Sequence, residues 1–308
     1  MKRLASEEIQ FKLKKIRKVV IIIFFIIIAC CLVGLFLLYG PYSGFRDWFI
    51  TTAMSTMNHK YLATWFYDDE TIANCLTENS TQDTLLSTDP DLIEIVDYSE
   101  QETIYENEYE RQVLEKDENN NDYKIIEIEG DNYSGYLAVI YDSSRVRIAA
   151  SKYLGTSGQY LWAISEETEA LVAINAGGFA DETDDNTGGT PTGSVISQGD
   201  LLWDSTYTGI GGLIGLNQDG KLILGKYTSE QAEILGIRDG ISLGPFLIVN
   251  GIETEISGNG GQGRSPRTAI GQRKDGIILF LVLDGDRTVR PRSNNKRSAR
   301  DYGKLWGI

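Results

Sequence analysis

A chain of 308 residues has room for one large domain or two small ones with a sizeable core, and its net charge of −15 is unevenly spread. Residues 1–18 carry seven basic and two acidic side chains, residues 40–285 fifteen basic against forty acidic (a net of −25), and residues 286–308 seven basic against two acidic. So acidic a body excludes nucleic acid as a partner, because neutralising phosphates needs a basic surface.

In chain order, residues 1–18 read as a basic cytoplasmic segment. Val19 to Tyr39 is uncharged and almost wholly apolar. Its twenty-one residues, at about 1.5 Å each, span roughly the 30 Å of a hydrocarbon core. A cleavable signal peptide would have a shorter apolar region ending in small residues. The stretch therefore predicts an uncleaved signal anchor in the plasma membrane, crossing once. The basic residues before it keep the N-terminus cytoplasmic and place everything after Gly40 outside.

Cys30 and Cys31 lie inside this run, leaving only Cys75 beyond it. No disulfide and no cysteine metal cluster can form within the soluble part. The one histidine, His59, sits just past the run, far in sequence from the glycine-rich region. Unless His59 folds back onto the main domain, Ser-His-Asp hydrolysis, Cys-His proteolysis and multi-His metal sites are thereby removed. No cofactor is predicted, and a divalent cation held by carboxylates stays open although no compact ligand spacing demands it.

Residues 40–77 form a juxtamembrane segment. Apolar and aromatic side chains from Phe45 to Phe66 recur at helical spacing, which predicts an amphipathic helix. It lies either on the outer membrane surface or against the chain's own domain. Residues 78–122 hold fifteen acidic residues against Arg111 and Lys116, and read as a solvated spacer with a short helix around Ile104 to Leu114.

From Tyr123 the pattern changes. Strands are expected at Ile125 to Ile128 and Tyr136 to Tyr141, with Arg145 to Ala150 as a return arm. A helix capped by Ser165 and a buried strand over Leu171 to Asn175 follow. Hairpins are expected around Gly199-Asp200 and Asp219-Gly220, a short helix over Ser229 to Leu235, and extended chain over Ile241 to Ile252. Strands without regular strand–helix alternation predict an α+β fold, sheet-rich and mixed or antiparallel with a few helices, preceded by the transmembrane and juxtamembrane helices.

Three glycine-bearing turns stand beside apolar strands: N-A-G-G-F at Asn175 to Phe179, S-L-G-P-F at Ser242 to Phe246, and R-S-P-R-T-A-I-G from Arg264. Glycine there lets backbone amides approach an anion closely. The last motif runs into a hairpin through Lys274-Asp275-Gly276 that ends at Asp284. Arg264 and Arg267 are forks suited to phosphate or carboxylate oxygens; an ordinary structural Arg–Asp pair is the alternative.

Together, and in this order, these motifs with the closing L-V-L-D-G resemble the phosphodiester glycosidase domain family, whose bacterial members are often labelled exopolysaccharide-biosynthesis proteins. The likeness runs from about Tyr136 to Gly285, within a domain at 123–285. It implies hydrolysis of the bond between a sugar's anomeric carbon and a phosphate, here in a cell-envelope or exopolysaccharide glycan. Under that resemblance Asp284 and Arg267 are the catalytic candidates. Asn175, Gly177, Gly178, Gly244 and Arg264 are candidates for substrate binding. Asp181 and Glu182 are weaker carboxylate candidates, since their run reads better as a solvated loop. The family usually continues past D-G-R to a helix, another strand and an acidic Gly-Gly turn. Here residues 286–308 are an atypical basic tail that reads as frameshifted or prematurely ended. A non-catalytic glycan-binding or assembly factor is the second reading, and a structural ectodomain the third.

Overall fold

The computed structural model describes residues 2–56, 59–84, 86–96, 105–117, 120–130, 133–180, 188–261 and 266–284, with side chains from Leu13 onward. The chain divides into two compact units, Met1–Ser80 with Ile256–Gly263, and Thr81–Glu255 with Arg264–Ile308.

In the first unit α1 (Lys2–Tyr39) is one unbroken helix. Its Leu13–Tyr39 portion has a mean hydropathy of 3.4 and none of it is buried by protein. By length and composition it is long and apolar enough to cross a membrane. The juxtamembrane stretch is not one helix. It breaks into α2 (Ser43–Met54) and α3 (Lys60–Thr64), followed by α4 (Asp69–Glu78). Small polar side chains make the break: Ser55 and Thr56 turn their hydroxyls back onto the carbonyls of Thr52 (2.9 Å) and Ala53 (2.8 Å), and Thr56 Oγ1 accepts from the His59 N–H (3.1 Å). Asp68 caps α4 by accepting from Thr71 N–H at 2.7 Å; hydrogen bonding from the Thr71 side chain, then from its backbone N–H, lowers the pKa of its carboxyl.

These helices bury Ile50, Ala53, Ala63, Tyr67, Ile72 and Cys75 against one another, a core of their own. The returning loop is fastened by Asn259, whose side-chain amide donates to buried Thr51 Oγ1 (3.0 Å) and whose N–H donates to Asn79 Oδ1 (3.0 Å). Burial, followed by the charge of Asp47, pushes the Cys75 thiol up to about 11. Because the folded value lies above the unfolded one, this stabilisation is complete below about pH 9 and is lost as pH rises through about 11. Cys75 is accordingly expected to resist iodoacetamide at pH 8 in the folded chain and to react only after unfolding, as read by mass spectrometry. Fast native labelling would contradict its burial.

The second unit contains α5 (Glu108–Leu114), β1 (Tyr123–Glu129), β2 (Ser134–Ile140), α6 (Leu161–Thr168), β3 (Gly178–Ala180), β4 (Thr190–Thr192), β5 (Val195–Ser197) and β6 (Asp200–Trp203). Then come β7 (Gly212–Asn217), β8 (Leu222–Gly225), α7 (Ser229–Ile234), β9 (Ile237–Leu243), β10 (Ile248–Val249), β11 (Ile252–Glu253), β12 (Arg267–Gln272) and β13 (Ile278–Leu283). The strands form a four-stranded sheet ordered β1-β2-β13-β12 and a five-stranded sheet ordered β6-β5-β9-β7-β8, with two small pairs, β3-β4 and β10-β11. Every described pairing is antiparallel.

Alternation along β2 and β13 explains the layering. Ala138, Ile278 and Phe280 point to one face and pack on Leu216 and Leu222 of the other sheet. Leu137, Val139, Leu279 and Leu281 point to the opposite face and pack under Val113 and Leu114 of α5. Both faces are covered, so β13 is apolar at every position rather than at alternate ones. The far face of the five-stranded sheet, through Leu213 and Ile223, is closed by Ala232 of α7.

Several expectations change. Residues 81–96 are not a solvated spacer: their main chain is paired along this unit. Thr88 N–H donates to Leu224 O (2.9 Å), Glu94 N–H to Lys274 O (2.8 Å) and Val96 N–H to Asp275 O (3.1 Å), while Ile93 is buried. Backbone groups pair with an edge strand whatever the side-chain charge, and composition does not report this. The arm at Arg145 to Ala150 is no strand. Its backbone is satisfied by side chains instead: Ile148 N–H donates to buried Asp239 (3.0 Å), and Val146 O accepts from Arg238 (2.7 Å). Ser165 lies within α6 and bonds back to Leu161 O (2.9 Å), so it caps nothing. Leu171 to Asn175 is irregular chain, although Val172 and Ile174 do enter the core between the sheets.

The hairpin turn is locked by Arg273, which donates to Asp275 (2.8 Å) and to Glu110 of α5 (3.1 Å). Burial lowers the pKa of Arg273 while these two carboxylates raise it, with a net rise. Asp275→Ala would leave a half-desolvated guanidinium with Glu110 alone. It is expected to cost about 3 kcal/mol in urea unfolding, toward the low end for breaking a buried pair. A cost below about 1 kcal/mol would place this pair with ordinary surface ion pairs.

Candidate active site

The β12–β13 hairpin sets the geometry. Arg267 pairs with Leu283, so Arg267 and Asp284 stand at the same end, across from the Lys274-Asp275-Gly276 turn. Because β13 lies between β2 and β12, the two side chains have different neighbours. Asp284 continues the ladder with β2: its N–H donates to Ser134 O (2.9 Å), and its carboxylate accepts from Ser134 N–H (3.1 Å) and Ser134 Oγ (2.8 Å). Both carboxylate oxygens are therefore held on one residue, which fixes the group's orientation. Arg267 donates to Pro266 O at 3.0 Å. The residue is exposed to solvent, but packing around its head lowers the pKa from its ordinary value by desolvation. The guanidinium stays charged.

The glycine turns come to this end through β9. Thr268, next to Arg267, points its hydroxyl at the Asn175 carbonyl at 3.4 Å, a long bond that brings N-A-G-G-F beside β12. Gly177 adopts a left-handed φ of +72° and would place a Cβ 3.8 Å from Ile241 of β9, so its glycine is required by conformation rather than by crowding. Gly178 pairs with Thr192, and a Cβ there would stand 2.6 Å from Thr192 Oγ1 and 3.8 Å from Leu243. Gly244, one residue past Leu243, has a cis bond to Pro245. A Cβ on it would collide with the Ile210 carbonyl and stand 2.6 Å from Gly211 Cα, so two backbones run in contact. Asn175, Gly177, Gly178 and Gly244 are thus linked around the C-terminal end of β9. The Asn175 loop in turn meets the start of β12.

Arg264, Asp181 and Glu182 lie outside the described residues, as does the basic tail. Ser134, Thr268 and Thr192, which hold these groups, were missed in the sequence. The signal for Ser134 was its place at the head of a strand, readable only once β2 and β13 are known to pair. Chemically this end offers a guanidinium, an oriented carboxylate and glycine-lined backbone. The guanidinium is a means of holding an anion, and strand alternation puts Arg267 on the Leu283 face of the sheet while Thr268, with its Asn175 contact, is on the opposite face.

Residues 168–302 match the family model for phosphodiester glycosidase. That segment is similar to the phosphodiester glycosidase family. The match takes in all three glycine motifs and the whole hairpin, and it continues past Gly285 into the basic segment. It begins after β1 and β2, although β2 pairs with β13 in the four-stranded sheet and without it β13 would have β12 as its one neighbour. Among solved structures, a match is the zebrafish N-acetylglucosamine-1-phosphodiester alpha-N-acetylglucosaminidase catalytic domain, auto-inhibited by its pro-peptide. It is 22% identical, covers 61% of this chain and 69% of that one, and has a TM-score of 0.42. No curated protein matches the chain.

Proposed function

We infer that this protein is a membrane-anchored, extracytoplasmic hydrolase of sugar-1-phosphodiester bonds in a cell-envelope or exopolysaccharide glycan. The observation that carries the reading is the approach of N-A-G-G-F to the Arg267 end of the hairpin, inside the segment that matches the phosphodiester glycosidase family. In this reading Arg267, with Arg264, clamps the phosphate through paired N–H donors. Asn175 and the amides of Gly177 and Gly178 receive sugar hydroxyls or a phosphate oxygen, and Gly244 keeps the neighbouring backbone close enough to join them.

A phosphate monoester is already a good leaving group. The barrier then depends on stabilising charge more than on strong acid assistance. Asp284, steadied by Ser134, faces the anomeric centre and either stabilises an oxocarbenium-like charge or activates water. Release of N-acetylglucosamine from an N-acetylglucosamine-1-phosphodiester by the purified full chain tests the reading. Saturable binding of polymer without any release would favour the glycan-binding alternative.

A further inference from the structure

We propose that the small helical unit following α1 rests in the headgroup layer of the bilayer, with Trp48, Tyr61, Trp65 and Phe66 as its lipid-facing side chains. This builds on α1 as a membrane anchor and adds a second, parallel mode of contact.

The helical unit is fixed to the end of the span. The last carbonyls of a helix have no partner within it, and here two of them are taken. Gly40 N–H donates to Phe36 O (2.8 Å), and the Tyr67 hydroxyl donates to Leu38 O (2.8 Å). In the opposite direction the Tyr39 hydroxyl donates to Phe66 O (2.8 Å). A run of ring contacts continues outward from that joint: Tyr39 to Tyr67 at 5.8 Å, Tyr67 to Phe49 at 6.3 Å, Phe49 to Phe45 at 6.2 Å and Phe45 to Trp48 at 5.5 Å. These contacts tie the outer aromatic side chains to the end of the span through buried Tyr67.

The outer members of this surface are left uncovered. Trp65 is 72% exposed, Trp48 45%, Tyr61 44% and Phe66 40%, and the Tyr61 ring lies tilted against Trp65 at 4.9 Å. The unit already has its own buried core, so these rings are not spent on folding it. Tryptophan and tyrosine pair an apolar body with a polar edge, which suits the boundary between acyl chain and headgroup. Charge agrees with this. Between Tyr42 and Phe66 the one acidic residue is Asp47, and it is paired to Arg46 at 2.9 Å. The acids resume only at Asp68, so this surface carries no uncompensated negative charge toward anionic lipid.

The test uses the full chain reconstituted into phosphatidylcholine–phosphatidylglycerol vesicles whose phosphatidylcholine is brominated in the upper half of its acyl chains. Bromine quenches only tryptophans within its reach. The intact chain is expected to float with the vesicles and to lose a clear fraction of its tryptophan emission. W48F/W65F is expected to float equally, to keep its circular dichroism spectrum and to lose that quenching. Flotation with no quenching, or with quenching unchanged in W48F/W65F, overturns the interfacial proposal while leaving the anchor intact. That result would direct the search to a protein partner for the surface. Failure to float overturns the anchor itself and the proposal with it.

Discussion

Arg267→Ala is expected to lower kcat/KM on an N-acetylglucosamine-1-phosphodiester by about 10²- to 10³-fold, the range seen when one donor to a developing anion is removed. The side chain stands at the open end of the β12–β13 hairpin, one residue from the threonine that meets N-A-G-G-F. Its packing partly strips it of water, which strengthens any bond it makes to a phosphate oxygen. Arg267→Lys keeps the charge but loses the planar fork, so it should recover only part of the activity. The effect on stability should be smaller than the effect on activity, because the residue is exposed and lies outside the buried core. Steady-state kinetics alongside a urea melt separates the two effects. Activity within a few-fold of the parent would remove Arg267 from the site.

Asp284→Asn is the second large effect, expected at about 10²- to 10⁴-fold in kcat, the span of a general base or acid. The substitution is chosen because asparagine keeps a carbonyl oxygen for the Ser134 N–H, so the end of β13 stays in place while the negative charge is lost. Ser134→Ala removes only the 2.8 Å hydroxyl bond and should cost far less, affecting kcat through orientation of the carboxylate. If Asp284→Asn turned over normally, the Asp284–Ser134 contact would be a strand-end clamp and no more. Unchanged binding of polymer in that variant, with no turnover in the parent, would favour a glycan-binding protein.

Much of the architecture was legible from residue patterns. The apolar run specified a helix long and apolar enough to cross a membrane, because twenty-one uncharged residues follow one another there. D-G and G-D turns located the β5–β6, β7–β8 and β12–β13 hairpins because few residue types adopt their backbone angles. Thr228 and Gln231 form a reciprocal capping box at the start of α7, where a helix was expected. Failures occurred wherever a side chain or a distant strand, rather than the local chain, satisfied the backbone. The 145–150 arm is held by Arg238 and Asp239, and the acidic segment at 81–96 is held by Leu224, Lys274 and Asp275.

The candidate site follows the same division. Residue types alone suggested its chemistry: no histidine in residues 123–285, glycines where backbone must come close, and arginines and an aspartate bracketing a hairpin. They determined too that the hairpin would put Arg267 and Asp284 at one end, since antiparallel register follows from a tight turn. Only the tertiary structure decided what lies beside them. It gave Asp284 to Ser134 by pairing β13 with β2 across 150 residues, and brought Asn175 to Thr268 across 93. Contacts between residues so far apart arise from the packing of two sheets on a shared core, and no local preference encodes them.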